Sequence, residues 1–190
     1  MEKILFVNAC VRPASRTCNL ARTVLELLTG EVEELCLYEE NIPPLDLRTL
    51  ERREQCVRSE DFSDPLFLYA KQFASADAIV IAAPYWDLLF PAVLRAYLEA
   101  VTVADITFRY TPEGFPQGLC RAKQLIYVTT AGGPIGDRSY GYEYVRALAQ
   151  TFYGIPDMRC FMAEGLDIVG ADTEGIMKKA RELVTETLGA

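Results

Sequence analysis

Five short apolar runs alternate with helical patterns along this chain, and that alternation constrains the fold more than any other feature. The runs are residues 3–9, the stretch holding Val32, Leu35 and Leu37, and residues 77–83, 124–130 and 159–163. Each has the length and the apolar or β-branched composition of a strand. Between them, apolar residues recur at helical spacing: Leu20, Val24, Leu27 and Leu28; Leu66, Tyr69, Ala70 and Phe73; Leu94, Tyr97, Leu98 and Val101; Tyr144, Leu148 and Phe152; and Ile176, Ala180, Leu183, Val184 and Thr187. Gly30 is placed to stop the first helix. Strands separated by helices imply right-handed crossovers, hence a parallel sheet with helices on both faces. Two segments fall outside the alternation. Residues 39–65 form a charged insertion containing Pro43-Pro44, read as a long solvated loop with some helix. Residues 106–119 read as a hairpin-like insertion around Pro112-Glu-Gly114. No repeat or linker divides the 190 residues, so one domain over 1–190 is expected.

The charge balance narrows the partners. Nineteen Lys and Arg against 27 Asp and Glu leave a net charge of −8. Binding to nucleic acid or to an anionic membrane needs a basic surface, so neither is expected. A small anion needs only a local site. No stretch approaches the roughly 18 apolar residues of a membrane span. Met1-Glu-Lys leads straight into a strand-length run and carries no signal-peptide pattern, so a cytoplasmic protein is expected. Cys10, Cys18, Cys36, Cys56, Cys120 and Cys160 are scattered, with no CxxC, and read as reduced thiols. Histidine is absent. That removes Ser-His-Asp and Cys-His catalysis and imidazole metal ligation. No other group has metal-ligand spacing, and no metal is expected. An enzyme built on this chain must draw its chemistry from another source.

In parallel α/β sheets, ligands bind beyond the carboxyl ends of the strands, where the strand order reverses. Three loops follow strands there. The first, residues 10–19, has no glycine, so it is neither GxxxxGK[ST] nor GxGxxG. It offers the hydroxyls of Ser15 and Thr17 and the amides that open a helix, whose dipole favours an anion. Such a loop suits a terminal phosphate monoester; it also suits an ordinary N-cap. Arg12 and Arg16 add charge or point to water. The second loop, residues 83–91, carries Tyr85 and the single tryptophan, Trp86, and suits a flat ring; Phe90 reads as core. The third, residues 129–136, pairs Gly132 with Gly133, which lets backbone amides approach a ligand or simply makes a turn.

At this point the sequence resembles a known family, the flavodoxin-like NAD(P)H-dependent FMN oxidoreductases, particularly the FMN-dependent NADH-azoreductases and related quinone reductases. The segment Thr107-Phe-Arg-Tyr-Thr-Pro-Glu-Gly114 with Gly118-Leu119 is similar to the family's TFRYTxxGxxGL insertion. Ile79-Val-Ile-Ala-Ala-Pro84 and the aromatic after it resemble the flavin-facing loop of the third strand. Ser15-Arg-Thr17 with Asn19 resembles the Ser-x-Ser phosphate loop, Gly132-Gly133 the fourth-strand turn, and Ala163-Glu-Gly165 the fifth-strand end. The resemblance covers nearly the whole chain. The chain departs from the family pattern around Ala9-Cys10, where an early Ser is replaced. It has Asp87 where relatives often have Asn, and Ala131-Gly-Gly with Pro134 where relatives carry Arg-Gly-Gly and a nearby His.

The resemblance implies an α/β, flavodoxin-like three-layer sandwich with strand order 2-1-3-4-5. It implies an FMN-dependent enzyme that oxidises NADH or NADPH and reduces quinones, azo compounds or similar small acceptors by ping-pong hydride transfer. Ser15 and Thr17 would hold the FMN phosphate, with Arg16 contributing backbone. Pro84, Tyr85, Trp86, Asp87 and Leu88 would lie along the ring, largely through backbone, and Thr130, Gly132 and Gly133 would reach its pyrimidine side. Tyr110 and Phe152 would approach from a partner subunit of a homodimer or form the substrate wall. The chemistry would be borne by the flavin, with protons from Tyr85, Tyr110 or solvent. Two other readings stand beside this one: a non-catalytic FMN electron carrier, and a fold relative without cofactor that acts as a binding protein.

Overall fold

In the computed structural model, which describes residues 1–189, the chain runs β1 (Lys3–Asn8), α1 (Arg16–Leu27), β2 (Glu31–Cys36), α2 (Leu47–Arg58), α3 (Leu68–Ser75), β3 (Ala78–Ala82), α4 (Ala92–Val101), β4 (Phe108–Tyr110), β5 (Pro116–Gly118), β6 (Gln124–Thr130), α5 (Tyr140–Leu148), β7 (Asp157–Ala163) and α6 (Thr173–Leu188). A 3₁₀ turn, Pro65–Phe67, leads into α3, and a π-helical turn, Ala149–Tyr153, extends α5. The five long strands pair in parallel in the order β2-β1-β3-β6-β7. Counted without the two short strands of the hairpin, this is the order 2-1-3-4-5 that the family resemblance implies.

The apolar runs are continuous because both faces of each central strand are covered. In β1, Ile4 and Phe6 pack with Leu20 and Val24 of α1 and with Met177 and Val184 of α6. Their neighbours Leu5 and Val7 point the other way, into Phe73 of α3, Leu94 and Tyr97 of α4 and Val145 of α5. The same period of two divides Val80 and Ala82 from Ile79 and Ile81 in β3. A slip of one residue would exchange these two sets, so the register is tightly specified. At the edge, β2 buries Leu35 and exposes Glu31, Glu33 and Glu34, which discourages pairing with another chain.

Two expectations are refined. Helix α1 ends at Leu27, with Leu28 extended and its N–H donating to Leu25 O, so Gly30 is not its stop. Gly30 is needed for space: a Cβ there would lie 2.6 Å from the Glu2 carbonyl oxygen. The charged insertion at residues 39–65 is as solvated as expected, but its centre is a full helix, α2, capped by Asp46 on the Thr49 N–H and with no fully buried residue. It is held by Cys56 and Val57, which pack beside Phe67, Ala70 and Val103.

The hairpin at residues 106–119 is antiparallel, Phe108 opposite Gly118. Thr107 anchors it. Its buried hydroxyl donates to Val101 O at 2.8 Å and accepts from Val103 N at 3.0 Å. The second anchor is a glycine contact, in which a Cβ on Gly118 would lie 2.2 Å from Gly154 N and 2.3 Å from Tyr153 C. Gly154 itself is left-handed, at φ 72°, and ends the π turn. Among the described residues no helix is long and apolar enough to cross a membrane.

This contact yields a test. Gly118→Ala forces backbone apart and should lower stability by about 3 kcal/mol or more, read as a fall in the urea midpoint. Gly133→Ala, whose Cβ meets nothing within 4 Å, should leave the midpoint unchanged.

Candidate functional site

The order of strand pairing changes direction between β1 and β3, and the loops that leave their carboxyl ends enclose a cleft. Its wall includes Ser15, Arg16 and Thr17 from the first loop, Pro84, Tyr85 and Trp86 from the second, and Thr130 and Gly132 from the third. Eight of the eleven residues expected to hold a cofactor are thus brought to one concavity. Asp87 and Leu88 lie just outside that wall, at the tip of the turn that carries Trp86, and Gly133 is one residue past it.

Asn8 sets the first loop. Buried at the end of β1, its Oδ1 accepts from Cys10 N at 3.0 Å and its Nδ2 donates to Glu34 Oε1 at 2.9 Å. Ser15 is the N-cap of α1, its Oγ accepting from Cys18 N at 3.2 Å. Asn19 N donates to Ser15 O. The cap therefore satisfies Cys18 and Asn19 and leaves the amides of Arg16 and Thr17 without a protein acceptor among the described residues. The Ser15 hydroxyl also stands beside the Cys10 thiol, and its proton can turn to the sulfur or to a ligand. Thr17, 1% exposed, shares a 2.6 Å hydrogen bond with Thr130 Oγ1, which ties the start of α1 to the end of β6.

The arginines of this loop differ. Arg16 crosses the cleft: Nη2 pairs with Asp167 Oδ1 at 2.7 Å and Nη1 donates to Leu166 O at 3.2 Å. Arg12 stands exposed on the rim, in no ion pair among the described residues. Cys10 also lines the cleft, and burial pushes its thiol up to about 11, so it is protonated near neutral pH and offers no thiolate nucleophile.

The second loop is strained. Trp86 and Leu89 exchange backbone hydrogen bonds of 3.2 and 2.8 Å, which closes a two-residue turn over Asp87 and Leu88. Both sit in the left-handed region, at φ 50° and 69°, where a bulky side chain is an outlier. Strain of this kind gathers where surrounding structure fixes a functional loop. Here Tyr85 does the fixing: its N–H donates to Thr130 O at 3.0 Å and its hydroxyl to Arg138 O at 3.0 Å. Trp86 is left 39% exposed against the cleft. Phe90, by contrast, is core.

In the third loop the amides of Gly132 and Gly133 find no acceptor among the described residues. A Cβ on Gly132 would lie 2.4 Å from Asp167 Oδ2, so a side chain there would have to displace the Asp167 carboxylate. Asp167 is the member of the site that sequence reasoning missed. It is fixed by its own N–H to Gly132 O at 2.9 Å, a contact 35 positions away in sequence with no local signal. Tyr110 and Phe152 lie elsewhere in the chain: both rings pack edge-on against Phe108, at 5.4 and 4.9 Å, and Tyr110 is 59% exposed.

Chemically, the cleft offers uncommitted N–H donors from its first and third loops, hydroxyls from the first, and a half-exposed indole from the second. Comparison with known proteins agrees with that arrangement. A family model described as a flavodoxin-like fold matches residues 2–188. The chain is 38% identical over 192 residues to an FMN-dependent NADH:quinone oxidoreductase of Lachnoclostridium phytofermentans, covering 96% of each chain. It is 35% identical over 198 residues to FMN-dependent NADH:quinone oxidoreductase 2 of Clostridium acetobutylicum, covering 98% of each. Among solved structures, an azoreductase from Bacillus anthracis superposes with a TM-score of 0.86 at 28% identity, over 99% of both chains.

The strained turn can be relieved without touching the core. Leu88→Gly should raise stability by up to about 1 kcal/mol, since Leu88 is 46% exposed and loses little burial. The urea midpoint should rise with the slope unchanged; a fall would mean that the Leu88 side chain contributes more than its backbone costs.

Proposed function

This chain belongs to the flavodoxin-like fold family, and we propose that it is an FMN-dependent NAD(P)H oxidoreductase that reduces quinones, azo compounds or similar small acceptors. The observation that carries the reading is the convergence of three loops, from β1, β3 and β6, on one cleft at the switch point of the sheet. Relatives of that name span the full length of the chain.

The residues present fit FMN. A phosphate needs donors and local positive potential, and the start of α1 supplies both. The Arg16 and Thr17 amides are unpaired, the Ser15 and Thr17 hydroxyls stand beside them, and the helix dipole adds to their pull. A planar ring needs a flat, semi-rigid wall, and Pro84, Tyr85 and Trp86 offer one, with Asp87 and Leu88 fixing its turn. The open amides of Gly132 and Gly133 would take the polar edge of the ring and stabilise negative charge there. When bound, FMN would supply the two-electron chemistry between nicotinamide and acceptor, which acid–base side chains do not provide. The protein's task is to hold the ring, exclude alternatives and admit two flat substrates in turn. Tyr85 serves as wall, because its hydroxyl is already donating to Arg138 O; that favours solvent as the proton source.

We infer further that the 190 residues act as one domain in a cytoplasmic homodimer. Support for the dimer is the exposed aromatic hairpin, with Tyr110 59% and Phe115 69% accessible. Tyr110 and Phe152, which are not part of their own cleft wall, would then complete the substrate side of the partner's site.

Ser15→Asp isolates the phosphate contact. Aspartate caps a helix as well as serine does, so the urea midpoint should hold. The new carboxylate should weaken FMN binding at least about tenfold, roughly 1.4 kcal/mol. Unchanged affinity would remove Ser15 from the phosphate site. Binding of FMN should also quench the emission of Trp86, the single tryptophan; emission that stays constant to saturation would place the ring away from it.

A further inference from the structure

A second cavity, of about 290 Å³, lies beneath the insertion between β2 and α3. It shares no residue with the cleft above. Its walls are mainly apolar, built by Ile42, Leu45, Leu66, Tyr69 and Ala100, with Asn41 and Thr49 as uncharged polar members. Into this wall α2 sends one cation, Arg53. The guanidinium is half-buried and donates to the Glu99 carbonyl oxygen at 3.1 Å. It forms no ion pair among the described residues.

The acids nearby are committed elsewhere. Glu99 pairs with Arg95 at 3.1 Å, Glu54 with Arg58 at 3.8 Å and Asp64 with Arg52 at 2.7 Å. Glu40 accepts from the Tyr69 hydroxyl at 2.6 Å. Glu54 and Glu99 act on Arg53 only at longer range, and no carboxylate reaches it at ion-pair distance, so its half-buried charge is compensated in part. Burial accordingly draws its pKa downward. A counter-ion brought by a ligand would complete that compensation.

We propose that this cavity is a binding site for a small monocarboxylate with a compact apolar body, the carboxylate paired to Arg53 and the body seated among Ile42, Leu45 and Leu66. The planar fork of arginine matches a carboxylate with two parallel hydrogen bonds. The volume sits at the lower edge of the roughly 300–1,000 Å³ typical of small-molecule pockets, which limits the body to one ring or a short alkyl chain. Glu40, tied to the Tyr69 that lines the cavity, disfavours a second negative charge and so selects a monoanion over a phosphate.

The test is an NMR titration of the isotope-labelled full-length chain with benzoate and with hexanoate, alongside benzamide as the uncharged counterpart. Saturable shifts should appear at the amides of Ile42, Leu66, Tyr69 and Ala100. Benzamide should bind at least tenfold more weakly than benzoate. Arg53→Gln should weaken benzoate at least tenfold, and Arg53→Lys should keep part of the affinity. FMN affinity should be the same in all three proteins, so this result stands apart from the flavin reading. Three outcomes would overturn the proposal: no saturable shift at those residues with either carboxylate, equal binding of benzamide, or benzoate binding untouched by Arg53→Gln. A silent titration together with a change of oligomeric state in Arg53→Gln would likewise overturn it, and would assign the cavity to a second copy of the chain.

Discussion

Everything at the functional end of this protein depends on the parallel ladder continuing past the formal ends of its strands. Ala9 N donates to Ala82 O, Ala83 N to Val128 O and Ala131 N to Ala163 O, each within 3.0 Å. Beyond these, Tyr85 N reaches Thr130 O, and Leu166 and Asp167 reach back to Ala131 and Gly132. The loops are thus fastened to the buried core by the same hydrogen bonds that build the sheet. Rigid loops can hold groups that would otherwise relax: a left-handed leucine, a buried pair of threonine hydroxyls, and four backbone amides with no partner of their own. Unpaired donors are costly when buried and useful when a ligand can take them.

The site's electrostatics come from backbone more than from side chains. Arg16, the obvious cation of the first loop, is spent on Asp167 and Leu166, where it joins the start of α1 to the loop after β7. What remains for an anion is the helix terminus and its hydroxyls, supported by Arg12 at the rim. This local positive potential persists in a chain whose overall charge is −8. The cleft's thiol, Cys10, is held protonated by burial, so the protein's own groups bind and orient, and the cofactor reacts.

Much of this was legible in the sequence, because burial on both faces writes itself as uninterrupted apolar runs and helices write their period. The five strands, their helices and the hairpin at residues 106–119 follow from those signals. Ser15, Thr17, Tyr85, Trp86 and Gly132 were recognisable because the topology sends every loop after a strand to the same edge. What escaped has no local signature. The turn over Asp87 and Leu88 uses a conformation that the sequence favours only for Gly, Asn or Asp at both positions. The π turn at Ala149–Tyr153 inserts a residue that periodicity alone counts as ordinary helix, and it puts Phe152 on Phe108 while burying Tyr153. Asp167 meets Arg16 across 151 positions, a separation that no motif records. Arg53, which has no ion-pair partner among the described residues, looks, in sequence, like any other charge of a solvated insertion.

On the proposed function, this cleft holds a flavin that cycles between a nicotinamide donor and a small acceptor. The most direct measurement is the absorbance spectrum of the protein after incubation with FMN and desalting, followed by NADH or NADPH and then a quinone. Flavin bands should be retained, bleach with the nicotinamide and return with the quinone. Retained bands that neither nicotinamide bleaches would contradict the enzyme and leave an electron carrier; a protein that keeps no flavin and shows no FMN binding in titration would contradict the site itself.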